Sequence, residues 1–353
     1  MLSEVDKRLD AWADFLEPSS KRNFMYIIGL MDEPPRPWPY PDNIKDRIDW
    51  AAGAYERHME RMQWLDDDFV PAIMPYTGTE IIAQAFGSPV HYPGDNMPFA
   101  LPAIRDVSGL RGLKKPDVFS SNLGELFEIA ERIRSRVGHN GIVQLPDIQS
   151  PLDSAALIWE KGDFLMSMIE TPEAVHELVS MVEEVLTEFL DEWFKQFGTD
   201  YIAHFPHYPM KGGYTFSEDE VGEFSPEMFE EFSLPSINRL SKRYGGCAMH
   251  CCAHARHQWE SFRRIDGLKL INFCQPGAVL EESARFFGSD VCHYPLYSLD
   301  VQEQPLPIQN WMGAFNKDVH MVLYVGANDR EEALNYAEQL KEYAMQRESL
   351  VRS

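Results

Sequence analysis

The sequence predicts an α/β chain folded as a (β/α)8 TIM barrel with an N-terminal helical extension. Short β-type apolar runs alternate with helical patterns of ten or more residues, as βαβ units around a parallel sheet require. Seven such runs occur in one chain with no linker between them, which suits a closed barrel with one strand unrecognised better than two domains. The chain has 353 residues and 44% hydrophobic content, enough to bury one large core.

Residues 1–65 read as helices, Ser3 to Leu16 and Asn43 to Leu65, flanking the proline-rich Pro34-Pro35-Arg36-Pro37-Trp38-Pro39. They are expected to form a helical cap, with residues 66–353 as one compact barrel unit. The β-type runs are Phe69 to Met74, Gly141 to Leu145, Tyr201 to Phe205, Gly246 to His250, Leu268 to Phe273, Asp290 to His293 and His320 to Val325. From Pro172, apolar residues recur at three and four through Val175, Val182, Phe189 and Trp193, predicting a long amphipathic helix that starts at Thr171-Pro172-Glu173. Ser225-Pro226-Glu227 marks a second start, and Ser217 with Glu220 fits a capping box.

With 32 basic against 56 acidic residues, the net charge of −24 argues against a phosphate-backbone partner, so no nucleic acid is expected. The opening Met1-Leu2-Ser3-Glu4 has no basic start, and no stretch reaches membrane-spanning length. A cytoplasmic protein with no membrane association is expected. Five cysteines, Cys247, Cys251, Cys252, Cys274 and Cys292, lie in the last third of the chain, and ligands or buried thiols suit them better than disulfides.

In a barrel the chemistry belongs to the loops after the strands. His250 and Cys252, two apart at a strand end, point the same way and can grip one soft metal ion, which proposes zinc. The pair is incomplete alone, because catalytic zinc usually takes three protein ligands. His204 and His207 end the Tyr201 run and are candidates for catalysis. Tyr76, Asp147, Gln149 and Tyr294 also follow strands and are candidates for binding substrate. Cys247, three before His250, reads as a buried small hydrophobe. His254 and His257 read as a solvated helix face, and Trp259, Trp311 and Met312 as core packing.

Tyr76-Thr77-Gly78-Thr79-Glu80 with Ala85-Phe86-Gly87, Gln149-Ser150-Pro151-Leu152-Asp153, Glu170-Thr171-Pro172-Glu173, Ser217-Glu218-Asp219, Ser225-Pro226-Glu227-Met228-Phe229 and His250-Cys251-Cys252 resemble the uroporphyrinogen decarboxylase superfamily from about Asp66 onward. The resemblance implies a (β/α)8 barrel with its site at the carboxyl mouth, and it places the acidic Asp219 near that site. True porphyrinogen decarboxylases carry an Arg-Gln-Ala-Gly-Arg-Tyr signature near the start. Here the corresponding region reads Phe24-Met25-Tyr26-Ile27-Ile28-Gly29-Leu30-Met31-Asp32.

The chain is more similar to the cobalamin-dependent methyltransferases, whose zinc ligands follow His-x-Cys plus a distant cysteine. That cysteine would fall at Val325-Gly326-Ala327-Asn328-Asp329, which has none, so Cys292 is the expected substitute and Cys274 the second choice. The resemblance thus implies a zinc-dependent methyltransferase acting between a small methylated compound, such as an aryl methyl ether, and the cobalamin of a partner corrinoid protein. The alternatives are a metal-independent decarboxylase of a uroporphyrinogen-like or smaller aromatic acid, with Asp219 and a histidine as acid and base, and a non-catalytic binder of a corrinoid or tetrapyrrole protein. No pattern encodes the oligomeric state, and a homodimer is left open.

Overall fold

The computed structural model describes residues 3–297 and 319–351, so Trp311 and Met312 lie outside the described residues. Helix α1 (Glu4–Phe15) opens with a capping box between Ser3 and Asp6. Strand β1 (Phe24–Leu30), helix α2 (Ile44–Arg61), strand β2 (Ala72–Ile73), helix α3 (Asn122–Val137) and strand β3 (Ile142–Val143) follow. Helix α4 (Pro172–Phe197) leads to strands β4 (Asp200–Ile202), β5 (Pro209–Lys211) and β6 (Tyr214–Ser217). Helix α5 (Leu234–Tyr244), strand β7 (Cys247–Cys251), strand β8 (Leu268–Gln275), helix α6 (Gly277–Phe287), strand β9 (Cys292–His293), strand β10 (Met321–Ala327) and helix α7 (Arg330–Val351) complete the order.

Parallel pairing runs β6-β7-β8-β9-β10-β1 without interruption, and β2 pairs in parallel with β3. The chain segment that continues β3 meets β6 through the parallel bridge Gln149–Ser217. The remaining seam, between β1 and β2, is closed largely by side chains. Asp68 N–H donates to Tyr26 O at 2.9 Å, while the carboxylates of Asp68 and Asp67 accept from the β1 amides of Tyr26 and Ile28. The result is a (β/α)8 barrel, and its eight strands are β1, β2, β3, β6, β7, β8, β9 and β10.

Two of these strands differ from expectation. Strand β1 lies inside residues 1–65, so this region is not a helical cap alone and contributes a strand to the barrel. All of Phe24-Met25-Tyr26-Ile27-Ile28-Gly29 is buried, because a parallel strand packed on both faces reads as a continuous apolar run. Strand β6 ends at Ser217, which pairs with His250 rather than capping a helix. The Tyr201 run is a strand that runs parallel to the segment continuing β3, at the Gln144–Ile202 bridge, and returns as an antiparallel hairpin through β5, with Tyr201 opposite Met210.

Helix α4 agrees with the sequence pattern. Val175, Leu178, Val179, Val182, Val185, Leu186, Phe189, Leu190 and Trp193 are all buried, each such side chain stabilising by roughly 1.5–3 kcal/mol relative to exposure. Pro172 opens the helix, although Thr171 makes no side-chain cap bond, whereas Ser225 Oγ does cap, accepting from Met228 N–H. Trp259 is buried in the core as expected. Among the described residues, no helix is long and apolar enough to cross a membrane.

Candidate metal centre and its cavity

Strand register builds the centre. Ser217 stands beside His250, so the residues just past the end of β6 lie against those just past the end of β7. That brings Asp219 to His250 and Cys252, with ligand atoms of all three within 4.8 Å of one another. Each carries a fixed orientation. Oδ1 of Asp219 accepts the Cys252 amide at 2.6 Å, and the Asp219 amide donates to Oδ2 of the fully buried Asp153 at 2.5 Å. Oδ1 of Asp153 accepts from Glu220 N–H at 3.0 Å, which pins the whole loop.

His250 is oriented from behind. Its Nδ1 lies 2.5 Å from Oδ1 of Asn272 on β8, and Nδ2 of Asn272 donates to Tyr294 O at 2.5 Å. The amide oxygen can only accept, so Nδ1 carries the hydrogen and Nε2 is left as a lone pair for a cation. The Cys252 thiol is raised above its ordinary range by partial burial and by the neighbouring Asp219 carboxylate. One nitrogen, one sulfur and one carboxylate oxygen form a donor set that suits zinc, which binds such groups at about 2.0–2.3 Å and keeps a further position open.

Cys292, the expected third ligand, is placed elsewhere. It pairs with Leu270, which stands opposite Ala248, two rungs nearer the base of the barrel than His250. Its buried Sγ sits 3.4 Å from Phe15 O and 3.8 Å from His320 Nδ1, under α1. Cys274, the second choice, pairs with Leu296 at the mouth end of β8 and lines the main cavity. Cys247 is fully buried, as expected of a small core residue. His254 and His257 are both exposed, as a solvated face requires, and Nε2 of His257 lies 2.9 Å from Phe224 O.

The histidines of the hairpin separate. His204 shares a small space with Asp147, Ser217 and His250; Nε2 lies 3.7 Å from Asp147 Oδ2 and Nδ1 lies 3.1 Å from Gln144 Nε2. Burial pushes its imidazole well below the ordinary range, with the charges of His207, Arg36 and His250 adding to the effect. The Asp147 carboxyl is pushed up to about 7, by burial first and then by Asp219 and Glu80. Tyr76 stacks parallel to His204 at 5.8 Å, with the Arg36 guanidinium 3.4 Å over its ring. Gln149 is buried in the seam against Ser217 and lines neither this space nor the main cavity.

His207 and Tyr294 line a cavity of 740 Å³ that opens at the barrel mouth. Its walls are mainly apolar, among them Ile27, Phe69, Val70, Met74 and Leu296. Phe205 lines both spaces and packs edge-on against His250 at 4.8 Å, so the cavity abuts the His250 imidazole across one ring. Helix α2 supplies two polar lining residues that sequence reasoning missed, His58 and Arg61. A signal existed: they continue the buried stripe Ile48, Ala51 and Ala54, where a helix facing a core has no ordinary use for a cation.

The barrel and its carboxyl mouth set the class. The chain belongs to the uroporphyrinogen decarboxylase (URO-D) family, whose model matches residues 70–285. No curated protein matches it. Its fold is similar to that of the methyltransferase from Methanosarcina mazei, with a TM-score of 0.66 and 14% identity over 97% of this chain and 98% of that one. At that identity the likeness concerns the fold.

Proposed function

We propose that the chain is a zinc-dependent methyltransferase that moves a methyl group between a small methylated compound, such as an aryl methyl ether, and the cobalamin of a separate corrinoid protein. The observation that carries this reading is the convergence of Asp219, His250 and Cys252 beside an apolar cavity. Family membership and a fold shared with a methyltransferase support it.

Zinc, when bound, supplies Lewis acidity to the oxygen or sulfur that gains negative charge as the methyl group leaves. The chain's own residues do the rest. His250 presents Nε2 because Asn272 holds Nδ1, and Asp219 is aimed by Asp153 and the Cys252 amide. Phe205 forms the wall between the centre and the substrate cavity. Asp147 and His204, in contact beside His250, are the groups positioned to give or take a proton at the heteroatom left behind.

The test is metal content and methyl transfer measured together. Purified protein is expected to hold one zinc per chain and to methylate cob(I)alamin from a suitable methyl donor. His250→Ala is expected to lose the metal and about 10²-fold or more in rate. Absence of stoichiometric zinc, with transfer unchanged in His250→Ala, would exclude the reading.

A second reading, a metal-independent decarboxylase of an aromatic acid, is favoured by one observation. The Asp147 and His204 side chains lie 3.7 Å apart and offer an acid and a base without any metal. Here Asp147, rather than Asp219, takes the carboxyl role. Carbon dioxide release by metal-stripped protein, abolished in Asp147→Asn, would select this reading over the first.

A further inference from the structure

The cavity beside the metal centre has a wall whose charge is opposite to that of the chain. The protein carries −24 overall, yet Arg36 and Arg61 both line the cavity and Arg57 stands close enough to act on Glu33. Glu33 is the one carboxylate among the described lining residues, and it is already engaged by His58 Nε2 at 3.0 Å.

Arg61 is buried, at 5% exposure, with its guanidinium 4.0 Å over the Phe69 ring. The nearest carboxylate, Asp67, does not satisfy it. Oδ1 of Asp67 accepts from Arg8 at 2.8 Å and from Phe69 N–H at 3.3 Å, Oδ2 accepts from Ile28 N–H at 3.1 Å, and Nη2 of Arg61 is left 3.7 Å away. Among the described residues Nη2 of Arg61 has no hydrogen-bond partner, and neither has Nδ1 of His58 one turn earlier. A buried guanidinium nitrogen without an acceptor, on a residue that lines the cavity, is a costly arrangement unless an acceptor arrives.

Around this guanidinium the cavity is built for a ring. Phe69, Tyr294 and Trp50 line it together with aliphatic side chains, and its 740 Å³ falls within the usual range for a small-molecule pocket, roughly 300–1,000 Å³. Planar, forked guanidinium groups match carboxylates, and a buried donor set that loses its acceptor discriminates strongly against an uncharged analogue.

We infer that this cavity selects an aromatic monocarboxylate, with the ring among the apolar walls and the carboxylate on the Arg61 guanidinium of α2. That this ligand is the methyl donor rests on the methyltransferase reading; that the pocket binds it does not.

Titration calorimetry on the full-length protein with 4-methoxybenzoate and with its neutral methyl ester tests the inference. The acid is expected to bind at least about tenfold more tightly than the ester, and Arg61→Met is expected to reduce that preference to about twofold while zinc content stays unchanged. Equal binding of acid and ester by the wild type overturns the inference, and so does a preference that survives Arg61→Met. The wild-type comparison decides the matter alone if Arg61→Met fails to fold. Tight, charge-selective binding without methyl transfer to cobalamin supports the pocket assignment and counts against the methyltransferase reading; transfer without charge selectivity does the reverse.

Discussion

Nδ1 of His250 lies 2.5 Å from Oδ1 of Asn272, and that one contact sets which ring nitrogen faces the barrel mouth. Asn272→Ala removes it. Partners of metal-ligating histidines typically contribute 10–100-fold in affinity, so the variant is expected to bind zinc about 10–100-fold more weakly in competition with a chelator. It also strips Tyr294 O of its donor, which is expected to cost about 1–3 kcal/mol in urea unfolding. Unchanged zinc affinity would remove His250 from the ligand set.

The two candidate thiols separate cleanly. Cys252→Ser is expected to lose most bound zinc with little change in stability, since the side chain is exposed at the mouth. Cys292→Ala is expected to keep full zinc content and to lose about 1 kcal/mol, because its Sγ fills a buried site against Phe15 O. Metal analysis and thermal unfolding of both variants check the pair.

Much of this was legible in the sequence and some was not. Helix α4 could be read because its apolar period persists over many turns, and β7, β8 and β10 because their runs are long. Strand β1 was hidden by having no alternation and by lying between helical segments. Strand β6 is four residues long and runs into Ser217-Glu218-Asp219, whose composition also suits a helix start. The Tyr201 run had strand character and does run parallel to the β3 segment, but its return through a hairpin at Met210 is not written in composition. At the site, His250 and Cys252 were readable from their spacing of two. Asp219 as their partner depends on the register that sets Ser217 beside His250, and the two-residue strand at Cys292 offered no register to argue from.

Asp153 is expected to act on the metal centre without touching it. Its two oxygens accept the amides of Asp219 and Glu220, so Asp153→Asn places an amide donor against one of those N–H groups. Zinc affinity is expected to fall about tenfold or more, with the nitrogen and sulfur ligands retained. An affinity equal to wild type would mean that the Asp219 loop holds its place unaided.

Stability below neutral pH carries a signature of His293. The ring is buried, Nε2–H donates to Gly288 O at 3.1 Å, and burial pushes the imidazole down to about 4. The folded value lies below the unfolded one of about 6.5, so the unfolded chain takes up the proton first as pH falls. This contribution is complete above about pH 6.5 and is lost progressively down to pH 4. Between pH 7 and pH 5 the wild type is expected to lose about 2 kcal/mol more than His293→Gln, measured by urea unfolding at each pH. Parallel pH profiles would contradict the assignment.

X-ray absorption spectroscopy of the zinc-loaded protein reads the metal's neighbours directly. A shell of one sulfur at about 2.3 Å with nitrogen and oxygen at about 2.0–2.1 Å, the sulfur vanishing in Cys252→Ser, is the predicted result. A shell with no sulfur, or one unchanged in Cys252→Ser, would contradict a centre built from Asp219, His250 and Cys252.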